Sequence, residues 1–307
     1  MLRELTEPFA RITPAGASGL LLSGWGMEAT GLELLETERD DSFHVATADG
    51  EFVLKVAHPS DDPEQVAMQT AAMEHAAERG LDVQRIVRTT TGAREAVYEG
   101  RIARVITWLP GDLLRHATPD RGQLMQCGAV LGSLATALAD FDHPGAHRTF
   151  AWDLQAFPGL RALPHPEFAD PVFDGFDALD LAALPRQVIH NDFHPGNVLV
   201  DPADPRYVVG VLDFGDALYG PRILDLGLSL AYLLPEAGSA TAAMAPFIAG
   251  YESVSPLLPT ERDALPTLIA ARLVQRIVLP PLLAGDAVDR ALIARMTRTL
   301  QNLLAED

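Results

Sequence analysis

The stretch VIHNDFHPGNVLVD, residues 188–201, places histidines, asparagines and an aspartate between two apolar runs. Asp192 and Asn197 lie on the predicted loop between these runs, and Asp213 ends the next apolar run, in VLDFG. A carboxylate and an amide on one loop, with a second carboxylate at a neighbouring strand end, suit a hard cation such as Mg²⁺, which prefers oxygen ligands. We expect Asn197 and Asp213 to bind Mg²⁺. Asp192 is then left to accept a proton from an attacking hydroxyl.

Each part of this segment also has a structural interpretation. Pro195 and Gly196 are typical loop residues, so the segment alone could be an ordinary turn. Asp213 alone could cap a turn, and His190 is expected to brace the loop from the core. The joint spacing of two acids and one amide favours the metal-and-base hypothesis, because a simple turn needs no such set.

The two segments HNDFHPGNVLVD and VLDFG resemble the catalytic and metal loops of the aminoglycoside phosphotransferase and choline kinase family, which is related to the protein kinases. The family pattern is His-Gly-Asp-x-His-x-x-Asn, then Ile/Leu-Asp-x-Gly; here Asn191 replaces the glycine, and His194 matches. The resemblance covers most of the chain. It implies an α+β, bilobal, protein-kinase-like fold and phosphotransfer from ATP, with Mg²⁺, to a small-molecule hydroxyl. It also implies that Asp225 opens a helix beneath the catalytic loop, as an N-cap and a brace.

The elements that would position these residues fall into two parts. Residues 1–107 alternate short β-like runs with turns, including a hairpin signal at the dipeptide 49–50, and contain one predicted helix at 63–79. Residues 108–307 are mainly helical around the β-like runs that flank the candidate site. We therefore expect a nucleotide-binding lobe made of a small antiparallel sheet with one helix, and a larger helical lobe for catalysis and acceptor binding.

Lys55, in the apolar run EFVLKVA, is the only lysine among the 307 residues. A lysine ammonium is a compact charge that fits between phosphate oxygens, and by resemblance Lys55 matches the family's nucleotide lysine. The family usually pairs this lysine with a glutamate on the following helix. Helical spacing places Gln69, and not Glu74, on the apolar face of that helix. We therefore expect Gln69 to face Lys55, with Glu64 as the alternative.

Two further segments are assigned to the nucleotide by resemblance. The loop LETERDDSFHV is similar to that of the hydroxylysine-kinase-like branch of the family. It implies that the backbone from Asp40 to Ser42, with Arg39, approaches phosphates; a plain surface turn is the alternative. The stretch ITWLPG matches the family's strand-to-helix hinge, where the backbone would bond to adenine and the ring pocket would be lined by Ile106, Trp108 and Leu109.

The acceptor site is predicted to combine acids with aromatic rings, which suits an ammonium group through charge and cation–π contact. The candidates are Trp152, Asp153, Asp216, Tyr219 and Tyr232. Core packing is the alternative for the aromatic members. With the branch resemblance, this set favours an amino alcohol or a hydroxy amino acid. Aminoglycosides, choline, homoserine and sugars stay open, as does a pseudokinase-like module that binds nucleotide with little catalysis.

The composition narrows the possible partners. A formal net charge of −19, from 23 basic and 42 acidic residues, argues against a protein that follows nucleic-acid phosphates. The single cysteine, Cys127, is expected to be a buried apolar side chain and fits a cytoplasmic location. The apolar stretches fall short of the ~20 residues that span a bilayer. We expect a small hydroxylated partner and neither nucleic acid nor membrane; the oligomeric state is not indicated.

Overall fold

The protein is described by a computed structural model over residues 9–35, 37, 40–204, 207–236, 238–284 and 288–306. Arg39, an expected phosphate contact, lies outside these residues. The described chain forms two compact units that divide between Pro110 and Gly111.

The N-terminal unit contains an antiparallel sheet. Its strands are β1 (Ala29–Leu34), β2 (Asp41–Thr47), β3 (Gly50–Val56), β4 (Ile86–Val87), β5 (Ala96–Tyr98) and β6 (Arg101–Thr107). Their order is β1-β2-β3-β6-β4, and β5 also pairs with β6. Thr47 pairs with Gly50, so β2 and β3 form the hairpin that the sequence predicts. In this register Lys55 lies opposite Ser42 on one side and Arg104 on the other.

Two helices accompany this sheet, α1 (Pro14–Trp25) and α2 (Pro63–Glu78). The second agrees closely with the helix expected at 63–79, and the Asp62 side chain accepts the backbone N–H of Glu64 at its start. The first was not expected, because its sequence PAGASGLLLSGW is rich in glycine, which disfavours helices. The N-terminal unit therefore contains α1 in addition to the one helix predicted from the sequence.

Capping and burial account for α1. Thr13 accepts the backbone N–H of Gly16, proline occupies the first helical position, and Gly26 ends the helix with a left-handed φ of 67°. Leu21 and Trp25 pack into the core under the sheet. Tertiary burial therefore offsets the low helix propensity.

The C-terminal unit is mainly helical. Its helices are α3 (Arg121–Ala137), α4 (Asp170–Asp177), α5 (Ile223–Leu233), α6 (Ala240–Glu252), α7 (Pro259–Ala284) and α8 (Arg290–Leu304). Its strands are β7 (Asp112–Leu113), β8 (Arg186–Ile189), β9 (Val198–Val200), β10 (Val208–Val211) and β11 (Leu218–Pro221). They form the sheets β10-β9-β7 and β11-β8. A sheet-based first unit and a helical second unit confirm the predicted α+β class.

Helix α7 is the longest in the described part of the chain. Its segment Pro259–Leu283 is long and apolar enough to cross a membrane, by length and composition only. However, 67% of its most apolar window is buried inside the protein, where it packs on α4, α5 and α8. These contacts are those of a core helix.

Candidate active site

The candidate catalytic loop, residues 190–197, connects β8 to β9. Because β9 pairs with β10, Val198 lies opposite Val211, and the Leu212 backbone N–H donates to the Asn197 carbonyl at 2.8 Å. Asn197 and Asp213 therefore come from neighbouring ends of one strand pair. The sequence spacing alone could not show this register.

His190 and Asp225 hold the start of this loop from below. His190 is fully buried; its Nδ1 accepts the Asp192 backbone N–H at 3.2 Å, and its Nε2 lies 3.1 Å from the Leu212 carbonyl. Since a carbonyl only accepts, Nε2 carries the proton. Burial lowers the pKa of His190 to about 4, so the ring is neutral. These contacts support the bracing role expected for His190.

Asp225 braces the loop but does not cap its helix. It is the third residue of α5, and its two carboxylate oxygens accept the backbone N–H groups of His190 at 2.9 Å and Asn191 at 2.6 Å. The expected N-cap was wrong, because the carboxylate points to the loop and away from the first turn of its own helix. Burial raises the pKa of Asp225 to about 6.

Asn191 occupies the position where the family pattern has glycine. Its φ is 60°, in the left-handed region that glycine adopts freely and asparagine tolerates better than most residues. The departure from the family pattern thus preserves the backbone conformation. Five residues later in the loop, Gly196 leaves room for the His194 ring, because a Cβ there would lie 2.6 Å from His194 Cε1.

Asp192 presents its two carboxylate oxygens to different neighbours. Oδ2 accepts a hydrogen bond from Asn197 Nδ2 at 2.6 Å, and Oδ1 lies 3.3 Å from His194 Nε2. The His194 Nδ1 accepts the backbone N–H of Gly196, and burial, with Arg272 and Arg276 nearby, lowers the pKa of His194 to about 3. His194 is therefore neutral, with its Nε2 proton facing Asp192.

The electrostatic setting of Asp192 makes it a stronger base than an ordinary aspartate. Burial, followed by the Asp216 carboxylate, raises its pKa well above the usual range; Arg272 and the Asn197 hydrogen bond act in the opposite direction. About a quarter of the side chain, 24%, remains exposed, so a substrate hydroxyl can reach it. A raised pKa in an accessible carboxylate is typical of a general base.

Asn197 and Asp213 have the donor atoms that Mg²⁺ requires. The Asn197 amide nitrogen is held by Asp192, which leaves Oδ1 as the ligand atom. Asp213 has a left-handed φ of 61°, and its Oδ1 accepts the Gly215 backbone N–H at 2.9 Å. No cluster of three or more His, Cys, Asp or Glu side chains able to hold a metal occurs in the described chain. This pair fits a cation that completes its shell with water and phosphate oxygens.

In the N-terminal unit, Lys55 Nζ lies 3.7 Å from Asp40 Oδ2. Ser42, opposite Lys55, is buried inside β2, so it belongs to a strand and not to the loop where it was expected. Asp41 is also buried and pairs with Arg101 at 2.8 Å. The Asp41 carboxylate therefore points into the core and does not face the Lys55 ammonium.

Gln69 contacts Arg104, the residue opposite Lys55 on β6. Its Oε1 accepts from Arg104 Nη2 at 2.6 Å. The Gln69 amide oxygen, expected to face Lys55, thus accepts from a guanidinium, and the Asp40 carboxylate lies beside Lys55. Glu74 pairs with two arginines of the neighbouring segment, as its position off the apolar face indicated.

The segment after β6 combines core and half-exposed side chains. Ile106 is buried, whereas Trp108 and Leu109 are half-buried. The Trp108 backbone N–H donates to the Glu51 carbonyl at 3.1 Å, and its ring lies 4.3 Å from that of His44. Since the Trp108 N–H is engaged, adenine contacts from this segment would use other backbone groups.

Each aromatic acceptor candidate, Trp152, Tyr219 and Tyr232, has an arginine guanidinium near its ring. The Arg276 guanidinium carbon lies 3.5 Å from the Tyr232 ring centroid, and His194 stacks on Tyr232 at 4.6 Å. The rings of Trp152 and Tyr219 each have a guanidinium carbon at 5.3 Å, from Arg272 and Arg186. Each of these rings therefore has an arginine of the protein itself against it.

Asp153 is not an acceptor contact. It is 1% exposed, and its Oδ1 accepts the backbone N–H of Gln155, which starts a 3₁₀ helix over Leu154–Ala162. Burial raises its pKa. Asp216 is half-buried and close enough to Asp192 to raise the pKa of that base, so it remains the acid of this set nearest the chemistry.

Arg272 and Arg276 were not predicted from the sequence. They lie four residues apart on one face of α7 and are 2% and 8% exposed. Two arginines one turn apart inside an otherwise apolar helix were the available signal, because a buried cation needs a partner or a ligand.

Comparison with known proteins gives consistent results. Residues 32–264 match the sequence model of the phosphotransferase enzyme family, APH. Hydroxylysine kinase of Danio rerio is 32% identical over 283 residues, which cover 83% of this chain and 79% of that protein. Homoserine kinase of Gluconacetobacter diazotrophicus is 32% identical over 256 residues, covering 77% and 76%.

Among solved structures, the fold is similar to that of the amicoumacin kinase hAmiN, determined in complex with AMP-PNP, Ca²⁺ and Ami. The TM-score is 0.76 at 16% sequence identity, over 96% of this chain and 94% of that chain. At this identity the likeness concerns the fold alone.

Proposed function

Because the chain belongs to the phosphotransferase enzyme family, we propose that it transfers the γ-phosphate of ATP to the hydroxyl of a hydroxy amino acid or an amino alcohol. Two relatives at 32% identity are named for hydroxylysine and homoserine, which are both hydroxy amino acids. Aminoglycosides, choline and sugars are the other acceptors considered.

The observation that carries this proposal is the environment of Asp192. Its raised pKa and its remaining exposure suit a group that takes the proton from the acceptor hydroxyl as the oxygen attacks phosphorus. Asn197 fixes one carboxylate oxygen and His194 faces the other, so the base is held in one orientation. Orientation of this kind is the main contribution a protein makes to phosphoryl transfer.

We assign Mg²⁺ to Asn197 Oδ1 and the Asp213 carboxylate. A bound Mg²⁺ there would neutralise negative charge on the phosphates. The support is the oxygen donor set and the fixed orientation of both side chains. His190 and Asp225 hold the loop that carries Asn197.

Residues 1–107 are assigned to nucleotide binding and residues 108–307 to catalysis and acceptor binding. Lys55 would hold the nucleotide phosphates, and the segment with Ile106, Trp108 and Leu109 would contact adenine. A cytoplasmic location is also proposed. It is supported by Cys127, which is buried and whose pKa burial raises to about 12, so the thiol is inert.

The test is a screen of hydroxylated amines and amino acids for acceptor-dependent ADP formation. We expect ADP release with at least one hydroxy amino acid or amino alcohol and only background release without an acceptor. The alternative, a catalytically weak nucleotide-binding module, finds no support in relatives named as kinases. It predicts nucleotide binding without ADP release for every compound tested.

A further inference from the structure

Arg276 is a buried cation that a bound anion would stabilise. It is 8% exposed, and burial, with Arg272 and Arg295 nearby, lowers its pKa to about 10. Its Nη1 donates to the Ala231 carbonyl at 3.1 Å. In the described part of the chain no carboxylate forms an ion pair with Arg276 or Arg295. A guanidinium has five N–H donors and loses much hydration on burial, so a charged acceptor would stabilise it.

A cavity is available beside this guanidinium. Its volume is about 220 Å³, and it lies between the C-terminal end of α5, α7 and α8. Arg276, Arg295 and Tyr232 line it, together with apolar side chains such as Leu273 and Met296. Glu236 also borders the cavity but pairs with Arg298 on α8 at 2.7 Å. The site therefore combines two guanidinium groups with an apolar wall.

The position of Arg276 relative to Asp192 indicates which anion it would bind. Asp192 Oδ2 faces Asn197, which is the proposed metal side, and Oδ1 faces His194. His194 stacks on Tyr232, and Arg276 must lie on the opposite face of that ring, because both groups cannot occupy one face at 4.6 and 3.5 Å. Arg276 therefore lies beyond the Tyr232 ring from His194, and His194 faces the Asp192 oxygen that Asn197 does not hold. Nucleotide phosphates belong with the metal ligands, so the anion on this side belongs to the acceptor.

We propose that Arg276 and Arg295 bind the carboxylate of the acceptor, which makes the physiological acceptor a hydroxy amino acid and not an amino alcohol without a carboxylate. This inference rests on the proposed function. Arginine suits the role because its planar fork matches the two oxygens of a carboxylate. It also replaces the aromatic ammonium pocket expected from sequence, since the ring of Tyr232 is covered by Arg276 on one face and by His194 on the other.

The test compares hydroxylysine and homoserine with their carboxamides, which keep the hydroxyl and amino groups and lose the negative charge. For the wild-type enzyme we expect the carboxamide to raise the acceptor KM on the order of 10- to 100-fold, the range of a lost hydrogen bond to a charged group. Arg276→Gln should raise the KM for the acid by a similar factor. It should add little to the KM for the carboxamide, because both changes remove the same contact. Arg295→Gln should follow the same pattern with a smaller effect, because its side chain is exposed.

Arg290→Gln is the matched control, since Arg290 is an exposed arginine at the start of the same helix α8. It should leave both KM values unchanged. Equal KM values for acid and carboxamide in the wild-type enzyme would overturn the inference without any substitution. Equal increases in the KM for the acid and for the carboxamide on Arg276→Gln would also overturn the inference. A wild-type enzyme that releases ADP only with acceptors other than hydroxy amino acids and amino alcohols, or with none, overturns the proposed function itself.

Discussion

At the residue scale, the central group is Asp192, whose two oxygens are held by Asn197 and faced by His194. Replacing it by asparagine removes the proton acceptor but keeps an oxygen for the Asn197 amide. We predict that Asp192→Asn lowers kcat about 100- to 10,000-fold, the usual contribution of a general base. ATP binding, measured by calorimetry, should stay within a few-fold of wild type. Transfer at the wild-type rate would contradict the assignment of the base.

The pH dependence of activity depends on the neighbours of Asp192. Its pKa is raised by burial and then by Asp216, and the base must be deprotonated to act. Activity should therefore fall as the pH drops through this raised pKa. Asp216→Asn removes one negative neighbour, so the pKa of Asp192 falls and the acid limb of kcat/KM moves to lower pH. Profiles of the two enzymes on one acceptor provide the measurement; an unmoved limb, or one moved to higher pH, would show that Asp216 does not act on the base.

Lys55 allows a chemical test, because it is the only lysine in the chain. An amine-reactive acylating reagent can modify only this side chain and the terminal amine. Since Lys55 is expected to contact nucleotide phosphates, we predict loss of activity in proportion to its acylation. Mg-ATP should slow this loss at least several-fold. Mass spectrometry of the modified peptide measures the fraction acylated, and full activity of a fully acylated enzyme would exclude a phosphate-binding role.

At the scale of elements, the junction between α5 and the loop at 190–197 positions the chemistry. Asp225 accepts two backbone N–H groups of the loop, and asparagine could satisfy only one of them. We predict that Asp225→Asn costs about 1–3 kcal/mol of unfolding free energy, the range for a buried donor left unpaired. It should also lower kcat, because Asp192 follows directly in the loop. Denaturant titration and initial rates measure the two effects, and wild-type values for both would contradict the bracing role.

The effect of Asp225→Asn on the free energy of unfolding should depend on pH. The pKa of Asp225 rises from 3.8 to about 6 on folding, so the folded state binds this proton more tightly than the unfolded state. The contribution of Asp225 to stability is therefore largest near pH 4 and decreases as the pH rises to about 6. The difference in unfolding free energy between wild type and Asp225→Asn should fall over this window, by at most about 3 kcal/mol, and stay constant above it.

The elements themselves were predictable where the local signals agreed. The hairpin at 49–50 and the helix α2, with Asp62 and Pro63 at its start, follow from turn and capping chemistry. Helix α1 could not be predicted in the same way, since its glycines argue against a helix and only its packing against the sheet stabilises it. The contact of Gln69 with Arg104 was not predicted, because it depends on the cross-strand register that places Arg104 opposite Lys55.

At the scale of the whole molecule, the family was predictable from two short loops, and the match over residues 32–264 confirms it. The predicted kinase class and α+β fold are likewise confirmed. The buried arginines of α7 were not predicted, because the burial of a charged side chain depends on tertiary packing. The acids and aromatic rings suggested a site for an ammonium group, whereas the structure places Arg276 against the Tyr232 ring.

The central claim is that Asp192 directs the γ-phosphate of ATP onto a hydroxyl oxygen of a hydroxy amino acid. The most direct measurement uses ATP with ¹⁸O in the γ-phosphoryl group and unlabelled hydroxylysine or homoserine, followed by mass spectrometry of the product. We predict a phosphate monoester that keeps the unlabelled hydroxyl oxygen of the acceptor, formed by wild type and formed at least ~100-fold more slowly by Asp192→Asn. Inorganic phosphate as the sole product, or an ester formed equally by Asp192→Asn, would contradict it.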